Sequence, residues 1–374
     1  MTSEEIPVPP VEKDFTGGGI FALAEKPRGT TGDKDLDAKL KELASMWVQD
    51  PRTRDLVAGL LMTSLKIGRD ATGMGDLKLV HRALREMRYA NKVFYPYRNV
   101  RKVTIFGSAR TKPGHPAYEA ANLFARRMVE EEFMAITGAG EGIMGAANHG
   151  AGREQSFGLN IKLPFEQWAN DTIVGDEKLM TFNYFFTRKL FFVKEADAVA
   201  LFPGGFGTLD ELSESLTLMQ TGKATIMPVV MVDVPGGSYW KSFLNFMNEQ
   251  LKGEGLISNN DMSLFRVTDN VESAVKEITD FYKIFHSYRH VNDEVVFRLK
   301  RKLTKAAIEK LNTEFADLIK EGSIVQGLML PEESNEEGIT HLPRLIGTLR
   351  HGDYGRWRQL INRINTSEVI PAKP

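Results

Sequence analysis

The sequence predicts an α/β fold: a Rossmann-like doubly wound parallel sheet with an N-terminal helical region and a small C-terminal α+β region. Two patterns carry that expectation. Short apolar runs at 103–106, 133–137, 157–163, 198–202, 226–232 and 264–267 alternate with amphipathic stretches at 117–131, 208–220, 240–251 and 271–285. Strand–helix alternation of this kind implies parallel strands joined by right-handed crossovers. In addition, 374 residues of which 42% are apolar exceed the usual size of one core, so flanking units are expected.

Taken in order, residues 1–33 combine Pro7, Pro9, Pro10 and Gly17-Gly18-Gly19 with scattered charges. Such a segment buries too little to offset its ordering entropy and is expected to be a flexible arm. Region 34–97 carries Leu36, Leu40, Leu43 and Trp47, then Leu56, Leu60, Leu61 and Leu65, then Leu77, Val80, Leu84 and Met87. That spacing predicts three helices, punctuated by Asp50-Pro51 and by Gly73 and Gly75. Region 98–287 is the doubly wound sheet, whose ligand site is expected outside the C-terminal ends of its strands. In region 288–374, Val295, Phe297 and Leu299 alternate as a strand, and 304–321 reads as a helix capped by Thr304 and stopped by Gly322. Strands at 324–330 and 345–349 and a helix at 354–364 complete a β-α-β-β-α order, with an acidic loop at 332–337.

Composition narrows the chemistry. Forty-eight basic and 49 acidic residues leave a net charge of −1, so whole-molecule charge provides no drive toward nucleic acid, which is not expected as a partner. The basic stretches 298–302 and 350–363 read as solvated faces. The lack of cysteine removes disulfides, thiolate nucleophiles and Cys-ligated metals. The seven histidines show no metal-ligand spacing, so no metal is expected. No run approaches the ~20 apolar residues that cross a bilayer. The acidic start, Met1-Thr2-Ser3-Glu4-Glu5, has no signal-peptide pattern. A cytoplasmic protein without membrane attachment is expected.

Three strand ends deliver glycine: Phe106-Gly107-Ser108-Ala109-Arg110, then Thr137-Gly138-Ala139-Gly140-Glu141-Gly142-Ile143-Met144-Gly145, then Phe202-Pro203-Gly204-Gly205-Phe206-Gly207-Thr208. Each lies between a strand and a helix, where free N–H groups and the helix dipole favour an anion. Gly140-x-Gly142-x-x-Gly145 matches the dinucleotide fingerprint, and Glu166 lies near the ribose-binding distance. The strand before it, however, finishes Ile161-Lys162-Leu163-Pro164 without an acid. No Walker P-loop occurs. In the third loop, Glu211 falls in the first turn of the following helix, and Thr187-Arg188-Lys189 opens the helix leading into the same strand. A carboxylate and a guanidinium therefore approach one phosphate-binding edge.

Pro203-Gly204-Gly205-Phe206-Gly207-Thr208-Leu209-Asp210-Glu211, preceded by Arg188-Lys189 and by the two earlier loops, resembles the Lonely Guy (LOG) family of nucleoside-5′-monophosphate phosphoribohydrolases, long mislabelled as possible lysine decarboxylases. The resemblance spans roughly residues 100–285 and looks like the longer bacterial branch. It implies that Gly204, Gly205, Gly207 and Thr208 hold a 5′-phosphate, with Lys189 also meeting a phosphate. Gly107 and Ser108 would line the ribose side, and Gly138, Gly140 and Met144 the base side. Glu211 would stabilise a ribosyl cation or activate water, while Arg188 would orient the nucleotide and support the leaving base. Short family members carry three glycines where this chain has Gly138-Ala139-Gly140, and Met-x-x-Arg-Lys where it has Phe185-Phe186-Thr187-Arg188-Lys189. The substrate implied is a purine nucleoside monophosphate, AMP-like or cytokinin-ribotide-like, with no cofactor. The alternative is a non-catalytic carrier or sensor of a nucleotide or of the molybdenum cofactor. Phe182, Tyr184, Phe185, Phe186 and Leu190–Val193 make the Arg188 helix apolar around most of its circumference. It needs a second covering surface, either the N-terminal helices or another subunit. The resemblance favours a homodimer or higher even-numbered assembly, with Arg188 near the interface.

Overall fold

A computed structural model describes residues 30–70, 73–164, 168–334 and 338–371. The arm expected at 1–33 lies almost wholly outside the described residues, as do Glu166 and part of the acidic loop at 332–337. Among the described residues, no helix is long and apolar enough to cross a membrane.

Three helices lead the chain: α1 (Lys34–Trp47), α2 (Pro51–Arg69) and α3 (Met74–Phe94). Asp33 caps α1 by accepting from Asp35 N and Leu36 N, and Asp50 caps α2 ahead of Pro51, which fits a first turn because it has no N–H to lose. The α1–α2 pair buries Ala44, Ala58 and Met62 between its helices.

The central sheet contains β1 (Lys102–Phe106), β2 (Met134–Thr137), β3 (Ser156–Ile161), β4 (Leu179–Phe182), β5 (Ala198–Leu201), β6 (Val229–Val232) and β7 (Phe265–Thr268). All neighbours are parallel, in the order β4-β3-β2-β1-β5-β6-β7. Strand side chains alternate between two cores. Val103 and Ile105 face helices α4 (Pro116–Glu130), α5 (Ile143–Ala151) and α9 (Val271–Phe281). Phe106, Ile136 and Leu201 face α3, α6 (Phe185–Lys194), α7 (Phe206–Gln220) and α8 (Tyr239–Phe246). Burial on both faces explains why the central strands read as unbroken apolar runs.

A second, antiparallel sheet has the order β10-β11-β9-β8. It comprises β8 (Phe285–Val291), β9 (Glu294–Leu299), β10 (Ile319–Gly327) and β11 (Arg344–Leu349), with α10 (Lys305–Glu314) and α11 (Tyr354–Asn365).

Four expectations need correction. Strand β4 was not foreseen, because four residues on a sheet edge carry little pattern. Helix α9 ends at Phe281, short of the 285 expected, and strand β8 at Phe285–Val291 was not foreseen, so the C-terminal order is β-β-α-β-β-α. Helix α10 ends at Glu314, and Gly322 (φ +67°) instead sits within β10, where the pairing register with β11 shifts. Finally, the basic stretches are not simply solvated: Arg298 is buried against Glu333, and Arg358 is buried against Glu277.

Candidate active site

The strand order reverses at β1, whose neighbours are β2 and β5. Helix α4 leaves β1 toward one face and α7 leaves β5 toward the other, which opens a crevice at their C-terminal ends. The first and third glycine loops lie on either side of it. Ser108 N donates to Pro203 O at 3.1 Å, and Ile143 N donates to Ser108 O at 3.0 Å, so the first loop is wedged between the other two. Only glycine permits that spacing. A Cβ at Gly107 would lie 2.6 Å from the Ile143 side chain, and one at Gly204 would lie 2.1 Å from Thr208 Oγ1. The crevice encloses about 680 Å³, a size suited to a small ligand.

A buried polar net fixes the second loop. Asn170 Nδ2 donates to Ala139 O, Gly140 O and Asn148 Oδ1, while Thr137 Oγ1 donates to Asn148 Oδ1 and accepts from Ala139 N. Ala139 is held at φ +62° and is fully buried. A side-chain-bearing residue there costs about 1–2 kcal/mol.

Helix α6 brings Arg188 to the wall of the crevice. Its guanidinium lies over the rings of Phe185 (5.0 Å) and Phe192 (5.3 Å) and has no ion pair among the described residues; Nε is buried without a hydrogen-bond partner. Burial pulls the guanidinium below its ordinary pKa, against the opposing pull of Glu211 and Asp210. Helix α7 brings Glu211 to the same wall, 5% exposed, with Oε2 accepting no hydrogen bond. Burial pushes its carboxyl up to about 7, with Lys189 pulling the other way and Glu214 adding to the rise. No hydrogen bond joins Arg188 to Glu211. The crevice therefore holds an uncommitted cation beside a carboxyl that titrates near neutrality, the kind of perturbed pair found at functional sites.

Of the residues expected to act, Gly107, Ser108, Gly138, Met144, Arg188, Gly205, Gly207, Thr208 and Glu211 line this one crevice. Gly140, Lys189 and Gly204 do not. Gly140 lends its carbonyl to Asn170, and Gly204 accepts from Tyr239 Oη at 2.6 Å. Lys189, one residue and about 100° around the helix from Arg188, instead faces α7. Its Nζ lies 2.6 Å from Glu214, 3.0 Å from Asp210 and 3.5 Å from Glu211. Burial opposes its charge, but the hydrogen bonds it donates to Glu214 and Asp210 raise its pKa overall. Lys189 is thus engaged with the carboxylates of α7 and stands off the crevice lining. Among the described residues no lysine lines the crevice, so a Schiff-base decarboxylase chemistry finds no amine among them.

Sequence reasoning missed Arg110, which lines the crevice at the end of the first loop and makes no side-chain bond among the described residues. It also missed Phe206, whose ring is almost fully exposed at the mouth. Both lie inside motifs already singled out by their glycines, and a charge or ring between anion-binding glycines is the signal that could have found them.

Helix α3 supplies part of the cover that α6 requires: the Phe94 ring stacks on Phe157 at 4.5 Å and on Phe191 at 6.1 Å. Phe185 and Phe186 remain half exposed.

Residues 144–278 match the family model described as "Possible lysine decarboxylase". The chain is 28% identical over 186 residues to the rice protein named probable cytokinin riboside 5′-monophosphate phosphoribohydrolase LOG4, covering 48% of this chain and 77% of that one. It is 32% identical over 143 residues to Arabidopsis thaliana LOG6, a probable enzyme of the same name, covering 37% and 68%. Among solved structures, it is similar to the molybdenum cofactor binding protein of Rippkaea orientalis (19% identity, 48% and 93% covered, TM-score 0.34). It is likewise similar to the molybdenum cofactor carrier protein of Chlamydomonas reinhardtii (17%, 48% and 98%, 0.34). With its glycine loops, Arg188 and Glu211 on one crevice and a relative 32% identical across two thirds of its length, the chain belongs to the LOG family.

Proposed function

We propose that the chain hydrolyses the N-glycosidic bond of a purine nucleoside 5′-monophosphate, such as AMP or a cytokinin ribotide, to give the free base and ribose 5-phosphate. The observation that carries this reading is the unbonded Arg188–Glu211 pair on a crevice floored by three glycine loops. A pure binding protein gains nothing from holding a carboxyl near neutral pKa against a phosphate ester. The relatives named as cytokinin riboside 5′-monophosphate phosphoribohydrolases support the same reaction class.

In this reading the start of α7, with Gly205, Gly207 and Thr208, receives the 5′-phosphate through backbone N–H groups and the helix dipole. The C1′–N bond breaks with its electron pair going to the base. Water adds its oxygen to C1′ and its proton ends on the base. The Glu211 carboxylate faces the developing ribosyl cation or takes the proton from the attacking water. Arg188, over the Phe185 and Phe192 rings, orients the nucleotide and supports the negative charge leaving on the base. An even-numbered assembly, covering the half-exposed Phe185 and Phe186, belongs to the same proposal.

The test is incubation of purified protein with a panel of nucleoside monophosphates and the matching nucleosides, followed by chromatography of the released base. AMP or a close relative should be cleaved and adenosine should be a poor substrate. Tight AMP binding without release of base would favour the carrier reading instead.

A further inference from the structure

Glu86 on α3 lies one turn after Arg82 and next to Arg85, yet bonds to neither. Its carboxylate crosses instead to the start of α6. Oε1 accepts from Asn183 N and Nδ2, both at 2.8 Å, and Oε2 accepts from Thr187 Oγ1 at 2.5 Å. Tyr184 at the α6 N-cap makes no side-chain cap hydrogen bond, and Glu86 holds the residue before it and the third residue of the helix. A carboxylate at that end also suits the positive pole of the helix dipole. The clamp on the start of α6 thus comes from about 100 residues earlier in the chain.

Thr187, 1% exposed, is the residue before Arg188. The Arg188 guanidinium rests on Phe185 and Phe192, both rings of its own helix. Its direction in the crevice therefore follows the rotation of α6 about its axis. The apolar contacts of Phe94 with Phe191 and Phe157 hold the helix against the core but tolerate sliding. The three directional bonds of Glu86 do not.

We propose that Glu86 is a positioning residue for the reaction: it sets the first turn of α6 and, through it, the Arg188 guanidinium, which makes α3 part of the catalytic apparatus. The proposal rests on the role assigned above to Arg188.

Hydrogen exchange on the full-length protein without ligand tests the clamp directly. In Glu86→Ala, peptides covering 183–189 should exchange ~10-fold faster, with α4 unchanged. Unaltered exchange there overturns the proposal. Steady-state hydrolysis of AMP tests the consequence. Glu86→Ala should lower kcat by ~10–100-fold, the scale of a small misplacement of a reacting group, and should have no further effect in an Arg188→Ala background. An equal loss in both backgrounds signals general loosening and overturns it. Glu86→Gln, which keeps the acceptor for Asn183, should restore part of the activity, and Thr187→Val should lower kcat in the same direction as Glu86→Ala. If the wild type releases base from no nucleotide, the reaction proposed above fails, while the exchange measurement still decides the clamp.

Discussion

In the four-stranded sheet, Glu333 accepts from Arg298 Nε at 2.8 Å and from Arg344 Nε at 3.1 Å, while at the crevice Arg188 and Glu211 share a wall without bonding. Both carboxylates are buried, Arg188 is half-buried, and both groups combine guanidinium with carboxylate. Their electrostatics run in opposite directions. Burial works against the charge of Glu333, but hydrogen bonds from Arg298, Arg344 and Leu330 N more than offset it and hold the carboxyl below its ordinary pKa. Glu211 lacks such donors, so burial dominates and its carboxyl rises to about 7. The two sites differ at the carboxylate: Glu333 is supplied with donors by the fold, and Glu211 Oε2 is not. A carboxylate held by fixed donors serves structure; one left without them keeps its hydrogen-bonding capacity for whatever enters.

The largest effect should come from breaking the Glu333 cluster. Glu333→Ala removes the buried carboxylate that Arg298 and Arg344 share and should cost about 3–5 kcal/mol, read as a lower midpoint in urea melts. Glu211→Gln should do the opposite. The folded-state pKa of Glu211 is raised, so its contribution to stability is fully present below about 4.5 and is lost as pH rises through about 7. The displacement from 4.5 to about 7, at about 1.4 kcal/mol per pH unit, amounts to about 3–4 kcal/mol. Glu211→Gln should therefore match wild-type stability near pH 4 and exceed it by up to that amount at pH 8. A stability difference that does not change between the two pH values would remove the contrast.

How much of this was visible beforehand depended on whether the signal was local. Residues 103–106 read as a strand because Val103, Ile105 and Phe106 are apolar toward both cores. The Pro203–Glu211 stretch read as a site because the motif itself spans strand end, loop and first helical turn. The end of α9 was overrun because Tyr282, Ile284 and Phe285 extend its helical spacing, and β8 was hidden because its middle, His286–His290, is polar or aromatic and half-buried, without apolar alternation. The different placing of Arg188 and Lys189 was not legible because adjacent helical residues point about 100° apart, and only the position of α7 shows which one lines the crevice. Glu86 looked like one more charge on an amphipathic helix. Its partners at Asn183 and Thr187 lie about 100 residues away, beyond any pattern of spacing.

The next effect in size concerns turnover. Glu211→Gln and Arg188→Ala should each lower kcat by at least ~100-fold, the scale for losing an electrostatic or acid–base group. Glu211→Gln should still bind nucleotide, because it keeps the shape of the wall. In the wild type, kcat/KM should rise with pH through about 7 as Glu211 ionises, and that inflection should vanish in Glu211→Gln. Near-normal turnover in either variant would place the crevice with the Glu333 cluster, as structure rather than chemistry.

The smallest effect should come from Arg110, and it sharpens the comparison most. Its backbone is pinned: Arg110 N donates to Ser108 Oγ at 3.1 Å, and Ser108 is bonded through its own N and O to Pro203 and Ile143. Its guanidinium, by contrast, is exposed at the crevice and has no partner among the described residues. A fixed base with a free head is what an anchor for a mobile anion requires, and a guanidinium suits the fork of phosphate oxygens. Because the side chain is exposed, solvent screens it, and one such contact is worth about 1.4 kcal/mol, or tenfold. Arg110→Ala should therefore raise KM for AMP by ~10-fold with kcat changed less than ~3-fold, since the contact is made equally in ground and transition states. Binding of ribose 5-phosphate, measured by calorimetry, should weaken by the same factor, and binding of adenosine should not change. A loss confined to kcat would mean that Arg110 acts at the base, and would make it a third member of the unbonded group with Arg188 and Glu211.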